Sequence, residues 1–289
     1  MNKDLTVVFS SYKSEPLLKK ILFQLKNYYK ILIIENSCDI NIKKRLEKKF
    51  KNVSVLIPEK NLGLAKSYNL GIKKAKTKFV FLNNPDIKID NRAIKNLIFC
   101  AKSIKDFGVI SPVYMIEKNY VNYEISSFKE PYINKKLKKF EIQEVDSIDN
   151  NFLINKKILK NELFDENFFL YFETVDFTKK LQKKGKKLFV AKKIKFHHYG
   201  SSSIPKDFSN LVNKTRAFHY NWSKFYYFKK NFGYIHALTK TLPSIIKIFK
   251  NLIINLVILD IKNLKVNIIE LAGIFSAITC LSSFYRPKN

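Results

Sequence analysis

Cysteine is scarce in this chain. The 289 residues carry only Cys38, Cys100 and Cys280, with no CxxC spacing. That count excludes a disulfide framework and a thiolate zinc site, and it points to a reducing compartment. Seven glycines and eight prolines exclude collagen-like and Gly-rich low-complexity architectures. No uninterrupted apolar run approaches the ~18 residues of a spanning helix. The most apolar stretches, LIINLVILDI and GIFSAITCLSSF, are too short or are broken by polar residues. The opening MNKDLTVVFSSYKSE lacks the apolar segment and small-residue cleavage site of a signal peptide. A cytoplasmic protein that does not span a membrane is the expectation. GxGxxG and GxxxxGK-S/T are missing too, so the usual Gly-rich cradles for dinucleotides and nucleotides are absent. HExxH and GxSxG are likewise not found.

Hydrophobic residues make up 46% of the chain, enough for one large α/β domain and a smaller appendage. The formal net charge is +30. Arginine supplies little of it, at Arg45, Arg92, Arg216 and Arg286 only. Specific base reading leans on the planar Arg fork, so a lysine surplus implies diffuse attraction to an anionic surface and no specific nucleic acid. A Lys- and Asn-rich composition explains the charge as readily as an anionic partner does.

Over the first hundred residues two periodicities alternate. Thr6–Phe9, Ile31–Ile34, Val53–Ile57 and Phe79–Leu82 are short apolar runs rich in β-branched and aromatic residues. Between them lie helical patterns. Ser14 caps the first, with Pro16 in its opening turn and Leu17, Leu18, Ile21, Leu22 and Leu25 on one face. Ala65–Ala75 and Ile94–Ile104 read similarly. Strands without alternation, separated by helices, predict a parallel sheet covered on both faces, with ligands at the rim formed by the strand ends.

Further on, residues 109–155 read as short strands with a Lys-rich loop at Asn134–Lys139. A helix is predicted from Glu173 to Lys184, stopped by Gly185, then strands at Lys187–Ala191 and Ile194–His197. Beyond residue 206 the chain turns nearly all helical. Leu238, Leu242, Ile245, Ile246, Phe249, Leu252, Ile253, Leu256 and Val257 recur at helical spacing among lysines 240, 247, 250, 262 and 265. This is a basic amphipathic segment, suited to lying on an anionic membrane surface or to packing on the core or a second subunit. The predicted organisation is residues 1–205 as one domain in two halves, 1–110 and 111–205, with a helical extension at 206–289.

Three segments carry chemistry. Asn84-Pro85-Asp86 directly follows the strand FVFL. An Asp carboxylate and an amide oxygen there are hard ligands suited to Mg²⁺ or Mn²⁺, although Asn-Pro-Asp is also an ordinary turn. Asn61 to Gly71 reads N-x-G-x₅-N-x-G. Gly63 permits a tight turn before a helix, Asn61 can hold that turn, and Asn69 is a polar residue in mid-helix. Glu173 and Asp176, three apart, share one helix face, where they serve either proton transfer or the helix N-terminus.

At these residues the chain resembles the family 2 inverting glycosyltransferases of GT-A fold. It is most similar to a rhamnosyltransferase-like branch that builds bacterial surface polysaccharides. The resemblance spans about the first 225 residues. Ser11-Tyr12-Lys13-Ser14 is similar to the family's T-Y-N-S. Glu35-Asn36-Ser37-Cys38-Asp39 is a shortened D-N-x-S-x-D, and Asn61–Gly71 matches fully. Leu82–Asp86 resembles L-N-P-D with one extra Asn, and Phe164–Glu173 is close to F-D-E-x-F-F-x-Y-x-E, with Asp176 following. His197–Ser203 resembles H-x-G-x-S. Two departures stand out. Thr174 replaces the Asp of the family's Glu-Asp pair, and Asn150-Asn151 replaces a Gly-Ala on the acceptor side.

The resemblance implies a Rossmann-like, mostly parallel sheet with helices on both faces and a C-terminal helical extension. It implies a nucleotide-diphosphate sugar donor, contacted by Ser11, Tyr12, Glu35, Asp39, Asn61, Gly63, Asn69 and Asn84. A divalent metal is expected on Asp86, with His198 as a further ligand. Glu173 is expected as general base with Asp176 behind it, and a glycan or lipid-linked saccharide as acceptor. Read from the residues alone, Glu35 and Asp39 fit a solvated loop almost as well. His219 and Trp222 fit helix packing better than sugar stacking. Thr174 leaves a second function open, a non-catalytic sugar-nucleotide or glycan-binding relative. Lipid-linked acceptors imply peripheral placement on the inner face of the cell membrane.

Overall fold

The computed structural model describes residues 2–115, 121–125, 129, 132, 134–149, 151–198 and 209–286. The chain divides into two compact units. The first comprises Met1–Leu62, Lys66–Phe164 and Thr174–Pro205; the second comprises Gly63–Ala65, Asp165–Glu173 and Lys206–Asn289. Residues 199–208, which include the predicted domain boundary at 205, lie outside the described residues.

The first unit alternates strands and helices: β1 Leu5–Ser11, α1 Glu15–Leu25, β2 Lys30–Glu35, α2 Ile40–Lys49, β3 Val53–Leu56, α3 Gly63–Lys74 and β4 Phe79–Asn83. Then come β5 Ile87–Lys88, α4 Asn91–Ser103, β6 Phe107–Met115, β7 Tyr123–Glu124, β8 Ile142–Val145, β9 Ser147–Ile148, β10 Leu153–Asn155 and α5 Lys156–Leu159. Helix α6, Glu173–Lys183, and strand β11, Lys187–His198, complete it, with Gly63–Ala65 of α3 and Glu173 of α6 falling in the second unit. The main sheet runs β3-β2-β1-β4-β10-β6-β11-β5, with β8 also on β11, and β7 pairs with β9 apart from it. Strands β3, β2, β1 and β4 are mutually parallel, as are β6 and β11. Strand β10 runs antiparallel between β4 and β6.

This topology follows from burial. Leu5, Val7, Val8 and Phe9 in β1 have no exposed surface, so neither face of the strand meets water. In α1 the buried residues are Leu18, Ile21, Leu22 and Leu25, one stripe at helical spacing. Chain order reverses at β1, which lies between β2 and β4, and that reversal opens a ligand crevice at the strand ends. Phe164 stacks on Phe177 at 4.1 Å, and Phe152 lies 6.0 Å from Phe177.

Two local expectations need correction. Ser14 precedes α1, but its hydroxyl donates to the Tyr12 carbonyl at 2.9 Å; the hydroxyl serves the incoming turn and leaves the helix uncapped. The two strands predicted at 187–197 are one strand, β11, whose register against β6 shifts between Ala191 and Lys195, so an irregularity takes the place of a loop.

The second unit is built on α7 Ser209–Phe232, α8 Tyr234–Val257 and α9 Ile261–Ile278. Phe218, Trp222, Phe225, Ala237 and Ala277 form its core. A Cβ on Gly273 would sit 2.4 Å from the Phe218 carbonyl oxygen, so only glycine lets α9 approach α7 this closely. Trp222 Nε1 donates to the Leu281 carbonyl at 3.0 Å, and His219 Nε2 lies 2.7 Å from the Tyr285 carbonyl. Both side chains are absorbed by packing within this unit. Because a carbonyl only accepts, Nε2 carries the imidazole proton. Nδ1 is buried with no partner among the described residues.

Burial, with the nearby Arg286 charge adding to it, lowers the His219 pKa to about 3. The unfolded chain takes up this proton near pH 6.5, whereas the folded one refuses it until about pH 3. His219 therefore contributes stability above pH 6.5 that is lost as pH falls toward 3. Urea denaturation at pH 7.5 and pH 5 should show a larger drop for the wild-type chain than for His219→Gln, which has no proton to take up.

Candidate functional site

The ends of β1, β2 and β4 are joined by buried side chains. Glu35 closes β2 with no exposed surface. Its Oε2 accepts from Ser11 Oγ at 2.6 Å, and its Oε1 accepts from the backbone N–H groups of Lys13 at 3.1 Å and Ser37 at 3.0 Å. Neighbouring Asn36 ties three segments together. Its Nδ2 donates to the Ser11 carbonyl at 3.2 Å, its Oδ1 accepts from Leu62 N–H at 3.0 Å, and Ser67 Oγ lies 3.0 Å from Nδ2. Asp39 Oδ1 accepts from Asn41 N–H at 2.8 Å and so caps α2.

The Ser11 hydroxyl and both Glu35 oxygens are used in shaping the loops that line the rim, so these residues position it. Tyr12 differs. Its hydroxyl is buried and has no hydrogen-bond partner among the described residues. Burial, then the Glu35 and Cys38 charges, raise its pKa above the usual phenol value. It stays a neutral donor and acceptor.

Segment 61–71 divides its labour. Asn61 is half-buried at the start of the turn. Gly63 sits at φ +72°, and a Cβ there would lie 2.4 Å from the Phe169 carbonyl oxygen, which accepts from Leu64 N–H at 2.7 Å. Within the second unit Gly63 is thus required by backbone contact. Asn69 meets one residue with both ends of its amide: its Nδ2 donates to the Phe164 carbonyl at 3.0 Å and its Oδ1 accepts from Phe164 N–H at 2.9 Å. With 1% of its surface exposed, this mid-helix amide clamps the chain.

Beneath the turn after β4 lies a polar network centred on Tyr68. Its hydroxyl lies 2.8 Å from Asn84 Oδ1 and 2.9 Å from Asn151 Oδ1. Asn151 Nδ2 donates to Asn83 Oδ1 at 3.4 Å, and the Asn151 carbonyl accepts from Tyr114 and Ser111. The Asn151 of the Gly-Ala departure therefore braces the turn, while Asn150 lies outside the described residues. Asp86 is buried in that turn, 7% exposed. Strand β5 pairs antiparallel with the end of β11, which sets His198 opposite Ile87, next to Asp86 along the chain. The His198 side chain and Gly200–Ser203 lie outside the described residues.

Among the described residues, no three His, Cys, Asp or Glu side chains converge on a metal position. Asp86 with the half-buried amide of Asn84 suits a hard cation that draws most of its ligands from phosphates and water, the usual mode for Mg²⁺.

Glu173 opens α6 and is 4% exposed; Asp176, one turn on, is 1% exposed. The two residues before the helix, Tyr171 at φ +69° and Phe172 at φ +62°, both hold left-handed backbone, which is uncommon for aromatic residues and costs about 1–2 kcal/mol each. Aromatic contacts hold them there: Phe172 lies 5.4 Å from Tyr227, and Tyr171 lies 5.5 Å from Tyr220. Thr174 Oγ1 donates to Asp149 Oδ1 at 2.9 Å. Where the resembled family carries an acid, this chain has a hydroxyl that orients an acid from another segment.

Tyr68 and Asp149 were not singled out by sequence, and Asn36 and Asn151 stood there only as a motif member and a departure, with no role assigned. The available signal was polar residues at strand ends and on the inward face of α3. Asn69→Ala should cost about 1–3 kcal/mol in urea denaturation, because the Phe164 N–H and C=O would be left buried and unsatisfied. A loss under about 0.5 kcal/mol would show that the clamp contributes little.

Comparison with known proteins bears on this arrangement. The Glycosyl transferase family 2 profile matches residues 6–163. No curated protein sequence matches the chain. A mannosyltransferase, PcManGT from Pyrobaculum calidifontis in complex with GDP-Man and Mn²⁺, superposes with a TM-score of 0.56 at 12% identity, over 96% of this chain and 88% of that one. S. aureus TarS 1-349 gives 0.52 at 14% identity, over 98% and 93%. GalNAc-T7 with UDP, GalNAc and Mn²⁺ gives 0.53 at 14% identity over 77% of this chain, which spans 50% of that chain's length. At such identities the structural likeness speaks for the fold, and the profile, covering more than half of the residues, speaks for the family. The chain belongs to glycosyl transferase family 2 and has the GT-A fold.

Proposed function

We propose that the protein transfers a sugar, with inversion, from a nucleotide-diphosphate sugar to a glycan or lipid-linked saccharide in bacterial surface polysaccharide synthesis. A hexose such as rhamnose is the proposed sugar. The observation that carries this reading is the buried Asp86, in a braced turn at the reversal point of a parallel sheet. The GDP-Man and Mn²⁺ of PcManGT, and the UDP, GalNAc and Mn²⁺ of GalNAc-T7, support the donor class and a Mg²⁺ or Mn²⁺ requirement.

Asp86 would hold that cation, with His198 proposed as a second ligand. When bound, the cation neutralises charge on the departing diphosphate. Tyr12 offers the donor its buried hydroxyl, within loops held by Ser11, Glu35 and Asn36. The acceptor hydroxyl forms its new bond to the anomeric carbon as the carbon–oxygen bond to the diphosphate breaks. Glu173 takes the acceptor's proton, and Asp176 tunes it from the next turn of α6. Asp149, held by Thr174, supplies the carboxylate that position 174 lacks. The Lys-rich surface supports peripheral association with anionic membranes on the cytoplasmic side.

A thermal-shift panel of nucleotide sugars, with and without Mn²⁺, tests donor and metal together. The true donor should raise Tm in a metal-dependent way, as any ligand selective for the folded state does, and Asp86→Asn should abolish the metal-dependent part. A panel in which no nucleotide sugar shifts Tm would overturn the donor assignment.

Glu173→Gln should reduce kcat by about 10²–10⁴ while leaving the donor-induced shift intact. Unchanged turnover in that variant would exclude Glu173 as the base. A wild-type chain that binds donor but shows no turnover would favour the non-catalytic reading that Thr174 leaves open.

A further inference from the structure

The turn between α8 and α9 presents aliphatic side chains to water. Ile253, Leu256, Val257, Ile258, Leu259 and Ile261 are 60, 57, 76, 63, 75 and 53% exposed. Leu259 holds left-handed backbone at φ +56°, a position that glycine or asparagine usually fills at a helix end. A leucine there serves the turn poorly, so its apolar surface needs a reason of its own.

Polar groups of the hairpin are turned to other work. Asp260 Oδ1 accepts from Asn263 N–H at 3.0 Å, capping α9. Asn255 Nδ2 donates to Asn267 Oδ1 at 2.8 Å, bracing α8 against α9 behind the turn, and Glu270 accepts from Asn267 at 2.9 Å. Lys240, Lys247, Lys250, Lys262 and Lys265 are all exposed on the two helices. Two copies meeting through this hairpin would bring those like charges together, whereas an anionic lipid surface neutralises them. Among the described residues no helix is long and apolar enough to cross a membrane. Apolar residues at a turn, lysines behind it and no spanning helix are the features of an element that enters one leaflet and stops.

We propose that the α8–α9 turn is a membrane-inserting wedge: the aliphatic side chains of residues 253–261 enter the acyl boundary of an anionic bilayer, and Lys250, Lys262 and Lys265 stay at the headgroups. This goes beyond charge-driven adsorption of a basic protein, and it stands whether or not the chain transfers sugar.

The full-length chain is tested by flotation with phosphatidylcholine vesicles, with and without phosphatidylglycerol, at low and high salt. The wild type should float with the mixed vesicles and keep part of that binding at high salt. The double variant Val257→Asp/Leu259→Asp should lose about tenfold or more in partitioning with an unchanged far-UV spectrum, since both sites are exposed. Lys262→Gln/Lys265→Gln should lose binding mainly at low salt. Emission from a Val257→Trp variant should shift to the blue on vesicles and be quenched by brominated lipids, a readout that does not depend on the Asp variant folding. Equal flotation of wild type and Asp variant, or no lipid quenching at position 257, would overturn the proposal. A wild-type dimer that the Asp variant splits would also overturn it and assign the turn to a second copy.

Discussion

Everything at the rim of the sheet depends on two adjacent residues leaving β2. Parallel strands end in loops whose backbone donors have no ladder partner, and such groups are costly when buried. Glu35 and Asn36 meet that demand with side chains: the carboxylate gathers Ser11, Lys13 and Ser37, and the amide gathers Ser11, Leu62 and Ser67. One charge with no exposed surface thereby sets the backbone path on which Tyr12 stands.

The same economy recurs around Asp86. The carboxylate sits in a turn whose neighbours are fixed from below by Tyr68, Asn83 and Asn151. Asn151 is one of the residues that departs from the resembled family, yet its amide meets Tyr68 and Asn83 beneath the turn while its carbonyl accepts from Tyr114 on β6. Thr174 tells a similar story: its hydroxyl engages Asp149, and a carboxylate at 174 would instead face one at close range. Substitutions that look like losses in one dimension are thus exchanges of donor for acceptor within a local network.

Before Glu173 the chain stores strain. Two consecutive aromatic residues hold left-handed backbone, and packing against Tyr220 and Tyr227 keeps them there. Conformations of this cost persist only where surrounding contacts over-determine them. Here they deliver a buried acid to the first position of a helix, where backbone N–H groups favour negative charge.

Much of the fold was legible in the linear chain. Apolar runs without alternation became β1 to β4, and the stripe Leu18, Ile21, Leu22 and Leu25 became the buried face of α1, because these signals are local and set by burial. The turn at 84–86 follows the end of β4, and the motif at 61–71 spans the start of α3, where its glycine and mid-helix Asn placed it. What tertiary structure alone decided was which polar side chains remain available. Ser11 meets Glu35 across 24 positions, Tyr68 meets Asn151 across 83, and Asn69 meets Phe164 across 95. A hydrogen bond between residues so far apart leaves no mark on the periodicity of either segment. The sequence by itself therefore determined where the rim lies and which residue types reach it, while the packing of distant segments decided that Tyr12 keeps its hydroxyl uncommitted and that Ser11, Glu35 and Asn69 do not.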